Sequence, residues 1–365
     1  MTRFTEPETR LEPGRAPDKV LVIGATGHIG RVFLEQGLAL YPDCEFRVLL
    51  RDMARAKDFP QGVVCRPGDV RDVDSVRAAC SDFTTQSLLF DSVTRIDLSA
   101  RDESGRIEAI NLRGVENVIR VARELGLTLH KAHSSAGIPC PKEGIITERT
   151  EVSGDEEEAV YATLPYLLAK KQATRKLLAA QADGLRVTVS YLPSPIGPRS
   201  RDDALINQLI VRYARARTYF YPEGMSLAYV DARDAAKVHW VAFMDEVHDD
   251  FILANNTSHQ EFVDAFEQST DVKLRMWLLK PGFVLFVGKA LDNAKRWFAP
   301  RAALPLSEAS ARLMFANMSY SADKAKSILG FEPRPTRATF ADQFSDLACR
   351  GLIDSRYPPE PPSIW

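Results

Sequence analysis

The amino-acid sequence predicts an α/β fold, a doubly wound parallel sheet with a smaller C-terminal lobe. Three observations lead there. In the first half of the chain, short apolar runs rich in Val, Leu and Ile alternate with amphipathic stretches, the pattern of strands buried on both faces and joined by crossover helices. A glycine-rich turn spaced G-x-x-G-x-x-G links the first run to the first amphipathic stretch. Beyond Pro198 the strand–helix rhythm ends, and apolar and aromatic segments alternate with loops.

The elements follow in order. Residues 19–24, KVLVIG, form a strand that ends in glycine, and RVFLEQGLALY follows the turn as a helix. Residues 45–50, EFRVLL, are a second strand; a third begins at 62–65 and is closed by Pro67, Gly68 and Asp69. Helical patterns lie between them, as right-handed βαβ connections require. A fourth strand is expected in SVTRIDLSA, residues 92–100, although Arg95 and Asp97 fall inside it. An unpaired charge in a buried central strand is costly, so a shifted strand is the alternative. Residues 106–125, RIEAINLRGVENVIRVAREL, read as one helix stopped by Gly126, and 128–134 and 186–191 read as strands separated by a helix over 166–182. AYVD, residues 228–231, followed by ARDAAKVHWVAF, returns to the first sheet. The division expected is a leader over 1–18, a dinucleotide-binding domain over 19–197 and 228–257, a substrate lobe over 198–227 and 258–350, and a Pro-rich tail over 351–365.

Bulk properties bound the function. A length of 365 residues, at about 150 per domain, allows two domains or one large domain with a lobe. A composition of 45% hydrophobic and 26% charged residues excludes wholesale disorder. A net charge of −2 gives no global field that would recruit nucleic acid. Five scattered cysteines without C-x-x-C spacing argue against a disulfide framework or zinc site and fit a reducing cytoplasm. His28, His130, His133 and His239 show no ligand spacing, so no metal is assigned. The N-terminus lacks the apolar core of a signal peptide, and no run approaches the roughly 20 apolar residues of an integral membrane segment. The nearest, FVLFV at 283–287, is expected to line a pocket or pack on the core in preference to touching a membrane.

Two motifs carry chemistry. Gly24, Thr26, Gly27, His28, Ile29 and Gly30 lie between a strand and a helix. Glycines there let the backbone approach a pyrophosphate, while the helix N-terminus offers N–H groups. The second strand is followed by Arg51, with Arg55 and Lys57 nearby and Asp52 in the loop; an Arg at that point accommodates a ribose 2′-phosphate. NADP(H) is therefore the preferred cofactor, with NAD(H) the alternative. Asp69 and Val70, after the third strand, are candidates for the adenine, or else form an ordinary turn and helix cap. The second motif, Tyr166 and Lys170, puts phenol and ammonium on one helical face, where the cation is expected to lower the tyrosine pKa. Ser134 and Ser135 end a strand 31 residues upstream, counted from Ser135, and either hydroxyl can hold a carbonyl oxygen. Asn111 can anchor a water leading to Lys170.

Together the motifs GATGHIG, GDV, INLRGVENVIRVA, HSSAG, YLLAK, VTVSYLPSPIGP, YVDARDAA and SADKAKSILGFEPRP resemble, in order, the extended short-chain dehydrogenase/reductase family, from about Lys19 to Leu347. Leu192 with Pro193, the SSAG signature and Arg51 with Asp52 are most similar to its dihydroflavonol reductase and 3β-hydroxysteroid dehydrogenase branch. The resemblance implies a Rossmann sheet, a catalytic set of Ser135, Tyr166, Lys170 and Asn111, and further cofactor contacts from Leu98, Ser99, Pro193 and Ile196. It also implies Lys170 on the nicotinamide ribose, and a homodimer. The PIGP loop, residues 195–198, is one residue shorter than the family pattern. Ile138, Pro139, Tyr219, Phe220, Tyr221, Met225, Trp277 and Phe283 are candidate lobe residues whose aggregate points to a small hydrophobic carbonyl or alcohol substrate. The reading is an NADP(H)-dependent carbonyl reductase or alcohol dehydrogenase. A nucleotide-sugar epimerase or dehydratase, and a non-redox dinucleotide-binding scaffold, are the alternatives.

Overall fold

Aliphatic and aromatic residues dominate the strands that the sequence marks as buried. A computed structural model describes residues 14–97, 102, 104–141, 143–151, 164–223, 227–270, 272–298, 308, 311, 318–354 and 362–365. In chain order the described strands are β1 (Lys19–Ile23), β2 (Glu45–Leu50), β3 (Val64–Pro67), β4 (Leu88–Asp91), β5 (Thr128–Ser134) and β6 (Val187–Leu192). They continue as β7 (Pro195–Ile196), β8 (Thr218–Pro222), β9 (Leu227–Asp231), β10 (Asp250–Ile252), β11 (Asn255–Thr257) and β12 (Arg275–Leu279). Between them run helices α1 (His28–Leu40), α2 (Val73–Ala79), α3 (Arg106–Glu108), α4 (Gly114–Leu125), α5 (Pro165–Ala182), α6 (Leu205–Ala216), α7 (Ala232–Met244), α8 (His259–Ser269) and α9 (Pro281–Phe298).

Seven strands form the central sheet in the order β10-β6-β5-β4-β1-β2-β3, and every pair is parallel. The strand order reverses between β1 and β4. The crossover from β1 to β2 carries α1 on one face, and the return from β3 to β4 carries α2 on the other, which opens a crevice beyond the strand ends, where doubly wound folds take their ligands. Hydrophobic clusters cover both faces of the sheet. On one face Phe33 of α1 stacks between Phe90 of β4 and Trp240 of α7, with ring centroids 3.7 and 4.2 Å away. Each such buried side chain stabilises the fold by about 1.5–3 kcal/mol. The contact requires Gly37, where a Cβ would lie 2.4 Å from the Trp240 ring.

A third cluster gathers Ile196, Ile210, Tyr219, Tyr229, Phe262 and Phe344 with their neighbours. It is flanked by the small sheet β11-β9-β7 and the parallel pair β12-β8. The last residues of the chain also pack back, the Gln36 amide of α1 donating to the Ile364 carbonyl at 2.8 Å.

Three expectations are corrected. The fourth strand is β4, Leu88–Asp91, ahead of SVTRIDLSA. Arg95 and Asp97 therefore lie beyond the sheet and pair with each other at 3.5 Å, so neither charge is stranded in the core. The charge buried at that strand end is Asp91, which accepts from Lys131 of β5 at 2.7 Å, both side chains 1% exposed. The helix over 106–125 is interrupted by a π turn, Ala109–Arg113, between α3 and α4. The FVLFV run lies in α9 and only partly meets expectation: Val284 packs inward, but Phe283 and Phe286 are exposed.

Candidate active site

The glycine turn is built by close backbone approach. Gly24 has φ of 89°, a region that disfavours any side chain, and a Cβ on Gly30 would meet the Gly24 carbonyl oxygen at 2.4 Å. Gly27 caps α1 with no side-chain hydrogen bond, and the first turn of α1 holds no acidic residue. Its first N–H groups are left for an external anion, so the cradle fits a dinucleotide diphosphate. Thr26 is half-buried and Ile29 buried. The His28 ring hydrogen-bonds the Pro198 carbonyl at 2.7 Å, tying the turn to the loop after β7; burial holds its pKa down to about 4.

Arg51 stands exposed just past β2. The neighbouring Asp52 spends its carboxylate on the Ala54 N–H at 3.0 Å. An exposed cation thus stands just past β2, with the neighbouring acid turned into its own helix. Asp69 is held by Arg71 through both carboxylate oxygens, and that pairing lowers its pKa. The cap of α2 is Asp72, so Asp69 is not the cap. Val70 is buried, its carbonyl accepting from Asn117 at 2.9 Å. Ile196 is buried in the third cluster, which leaves only its backbone to face a cofactor, and Pro193 is half-buried. Leu98, Ser99 and Met225 lie outside the described residues.

Tyr166 and Lys170 share one face of α5, the ammonium 5.9 Å from the phenol ring centroid, and both are buried. Burial reverses the expected electrostatics. Removal from water pushes the Tyr166 pKa up to about 12, against a hydrogen bond with Ser134 that lowers it. Burial, reinforced by the Lys131 cation, holds Lys170 well below the ordinary lysine value, while Asp91 opposes them. The Lys170 ammonium donates to the Thr94 hydroxyl at 2.9 Å.

The two serines divide between partners. Ser134 meets Tyr166 and accepts from the Ala136 N–H at 3.2 Å. Ser135 accepts from the Tyr320 hydroxyl at 3.2 Å. Asn111 lies in the π turn, a distortion often found at functional sites. Its amide clamps the backbone of Arg95 from both sides, accepting at 3.1 Å and donating at 2.9 Å. It therefore fixes the segment that carries Thr94, so its reach to Lys170 runs through protein groups. The short PIGP loop is ordered by the same economy: Gly197 has φ of 109° and donates its N–H to Gln343 at 2.6 Å.

Thr94, Lys131, Asp91 and Tyr320 are site residues the sequence reading missed. Tyr320 directly precedes the SADKAKSILGF stretch, and none of the four carried a local signal. Among the candidate lobe residues Ile138 and Tyr219 are buried, Pro139 and Tyr221 half-buried, and Phe220, Trp277 and Phe283 exposed. Among the described residues no group of three or more His, Cys, Asp or Glu side chains is placed to hold a metal.

Comparison with known proteins bears on this arrangement. Residues 20–253 match the model of the NAD dependent epimerase/dehydratase family. A curated relative, sterol demethylase protein B of Methylococcus capsulatus, is 23% identical over 337 residues, spanning 91% of this chain and 99% of that protein. Among solved structures, gox2253 superposes with a TM-score of 0.75 at 23% identity, covering 92% of this chain and all of that one. UDP-glucose 4-epimerase of Thermotoga maritima, solved with UDP-glucose, superposes at 0.68 with 15% identity, covering 91% and 99%.

Proposed function

Because the chain belongs to the NAD dependent epimerase/dehydratase family, within the extended short-chain dehydrogenase/reductase superfamily, we propose that it is an NADP(H)-dependent carbonyl reductase or alcohol dehydrogenase for an apolar ketone or aldehyde. One observation carries the reading: a buried tyrosine held protonated beside a buried lysine and a pair of serine hydroxyls. A bound nicotinamide supplies or accepts the hydride; the chain's own residues manage the proton and the oxygen.

In the reductive direction Tyr166 gives the proton of its Oη to the substrate oxygen. A pKa of about 12 keeps that proton in place across the neutral range. The Ser135 Oγ accepts from Tyr320, which leaves its own hydrogen to hold the substrate oxygen. Ser134, on Tyr166, orients the phenol. Lys170, fixed by Thr94, places a donor for the nicotinamide ribose and a polar group behind the phenol. Burial of the whole set strengthens each of these contacts by excluding water.

Two features favour an apolar substrate over a nucleotide sugar. The sequence has Leu192 before Pro193 where sugar-nucleotide enzymes more often have Arg, and Leu192 is buried. The relative that spans nearly the whole chain takes its name from sterol demethylation, a hydrophobic substrate class. The test is NADPH oxidation with a panel of hydrophobic ketones and aldehydes beside a panel of UDP- and dTDP-sugars. Carbonyl-dependent oxidation is expected with the first panel. Tyr166→Phe should lower kcat on the order of 10²–10⁴-fold with NADPH binding retained. Turnover of the sugar nucleotides alone, or an unchanged rate in Tyr166→Phe, overturns the reading.

A further inference from the structure

The segments 205–223 and 272–298 hold nine Lys and Arg but only two Asp and Glu, on a chain whose net charge is −2. Within them, Phe220, Trp277, Leu278, Phe283 and Phe286 are exposed. These are half of the large apolar side chains exposed among the described residues, and they fall on one strand pair and the helix that continues it, with Leu278 on the opposite face of its strand from Trp277. Single exposed apolar residues are ordinary, whereas a contiguous group marks an interaction surface.

The geometry gathers them. β12 pairs with β8 so that Trp277 lies opposite Phe220, 57% and 51% exposed. Tyr219, one residue along, is buried on the other face, so the pair points away from the lobe core. Arg275, two residues before Trp277, shares its face and is exposed. The chain passes from β12 through exposed Lys280 straight into α9, where the Val284 N–H donates to the Lys280 carbonyl at 3.2 Å. In α9, Val284 and Gly288 are buried at a spacing of four, leaving Phe283 and Phe286 outward at 65% and 71% exposure with Lys289 three residues on. Arg212, Arg215 and Arg217 are also exposed, and the backbone carbonyl of Arg217 accepts the Arg275 N–H at 3.0 Å. None of these six cations forms an ion pair with a described residue, unlike nearby Lys273, which pairs with Glu267.

We propose that this face docks on an anionic lipid bilayer, with the Phe and Trp side chains entering the headgroup boundary and the cations meeting lipid phosphates. The charge complementarity selects the occupant. Aromatic residues with Lys and Arg on an amphipathic surface are the makeup of helices that lie in a membrane interface. No described helix is long and apolar enough to cross a membrane, so the contact is peripheral. The outward apolar side chains of α9, Phe283 and Phe286, stand on the helix between Lys280 and Lys289, the arrangement of a helix that lies along a bilayer surface. The inference stands independently of the redox reading.

The experiment is co-sedimentation of the full chain with phosphatidylcholine vesicles and with phosphatidylcholine–phosphatidylglycerol vesicles of equal total lipid. Retention on the anionic vesicles at low salt is expected, weakening as salt is raised. Lys280→Gln and Lys289→Gln should each weaken it about fivefold, and Phe283→Ser with Phe286→Ser on the order of tenfold or more. Circular dichroism of these exposed-site variants checks that folding is unchanged. No retention at low salt, equal retention on both vesicle types, or variants that bind like the parent overturns the proposal. So does self-association, or oligonucleotide binding, that the same substitutions abolish while leaving vesicle binding intact.

Discussion

Arg51 and Asp52 stand side by side at the end of β2, yet their surroundings give them different work. Asp52 is committed to the Ala54 N–H, while Arg51 is exposed and uncommitted toward the crevice side of the sheet. Replacing Arg51 by Ala should weaken NADPH on the order of tenfold, the scale of a lost charge-assisted contact, and leave NADH almost unchanged. Titration of nucleotide fluorescence reads this directly, and equal losses for both nucleotides would refute the assignment. The candidates could be named from local spacing taken together with the predicted elements: three glycines between a strand and a helix, or Tyr and Lys four apart with serines at a strand end upstream. Their electrostatics was not legible in that spacing. Lys170 meets Thr94 across 76 positions of sequence and Lys131 meets Asp91 across 40, and only the strand register brings those groups together. The tyrosine pKa runs opposite to expectation because burial outweighs the lowering by its hydrogen bond with Ser134.

Elements were legible where periodicity is strong and opaque where a helix or strand is distorted. Apolar spacing continues smoothly through residues 106–125, so nothing in the pattern announces the π turn that turns Asn111 toward Arg95. The fourth strand is expected too late, in SVTRIDLSA, whereas the apolar run that the sheet uses is Leu88, Leu89 and Phe90. The glycine turn makes a sharper case at this scale. A methyl group on Gly30 collides with the Gly24 carbonyl at 2.4 Å and the Ser92 hydroxyl at 2.6 Å, and the first of these is backbone that cannot swing aside. Gly30→Ala should therefore cost about 1–3 kcal/mol and lower the melting temperature. It should also weaken dinucleotide binding by lifting α1 away from β1. A melting temperature equal to the parent's would show that the turn is looser than described.

For the molecule as a whole, buried histidines set the response to acid. Burial holds His130 and His133 well below the ordinary imidazole pKa and takes His239 down to about 3. Above about pH 6.5 these rings are neutral whether the chain is folded or not, and stability is unaffected. Below that value the unfolded chain binds protons the native state refuses, so stability falls as pH drops toward the folded pKa values. Thermal melts from pH 8 downward should be level to about 6.5 and then decline steadily; a level profile through pH 5 would count against it. The doubly wound class was legible from the alternation of runs, and the sheet bears it out.

The position of β10 has a consequence in time. The first six strands of the sheet are complete by Leu192, but the seventh is not reached until Asp250, after the chain has left the sheet and come back. As the polypeptide emerges from the ribosome, β6 is therefore a bare edge, its hydrogen-bonding groups unpaired while some sixty residues are added. Such an edge invites pairing with another chain. β10 closes it by pairing Asp250–Ile252 with Val189–Tyr191, Lys324 then meeting Asp250 at 2.9 Å, and synthesis slowed within that interval is where this protein would aggregate most readily.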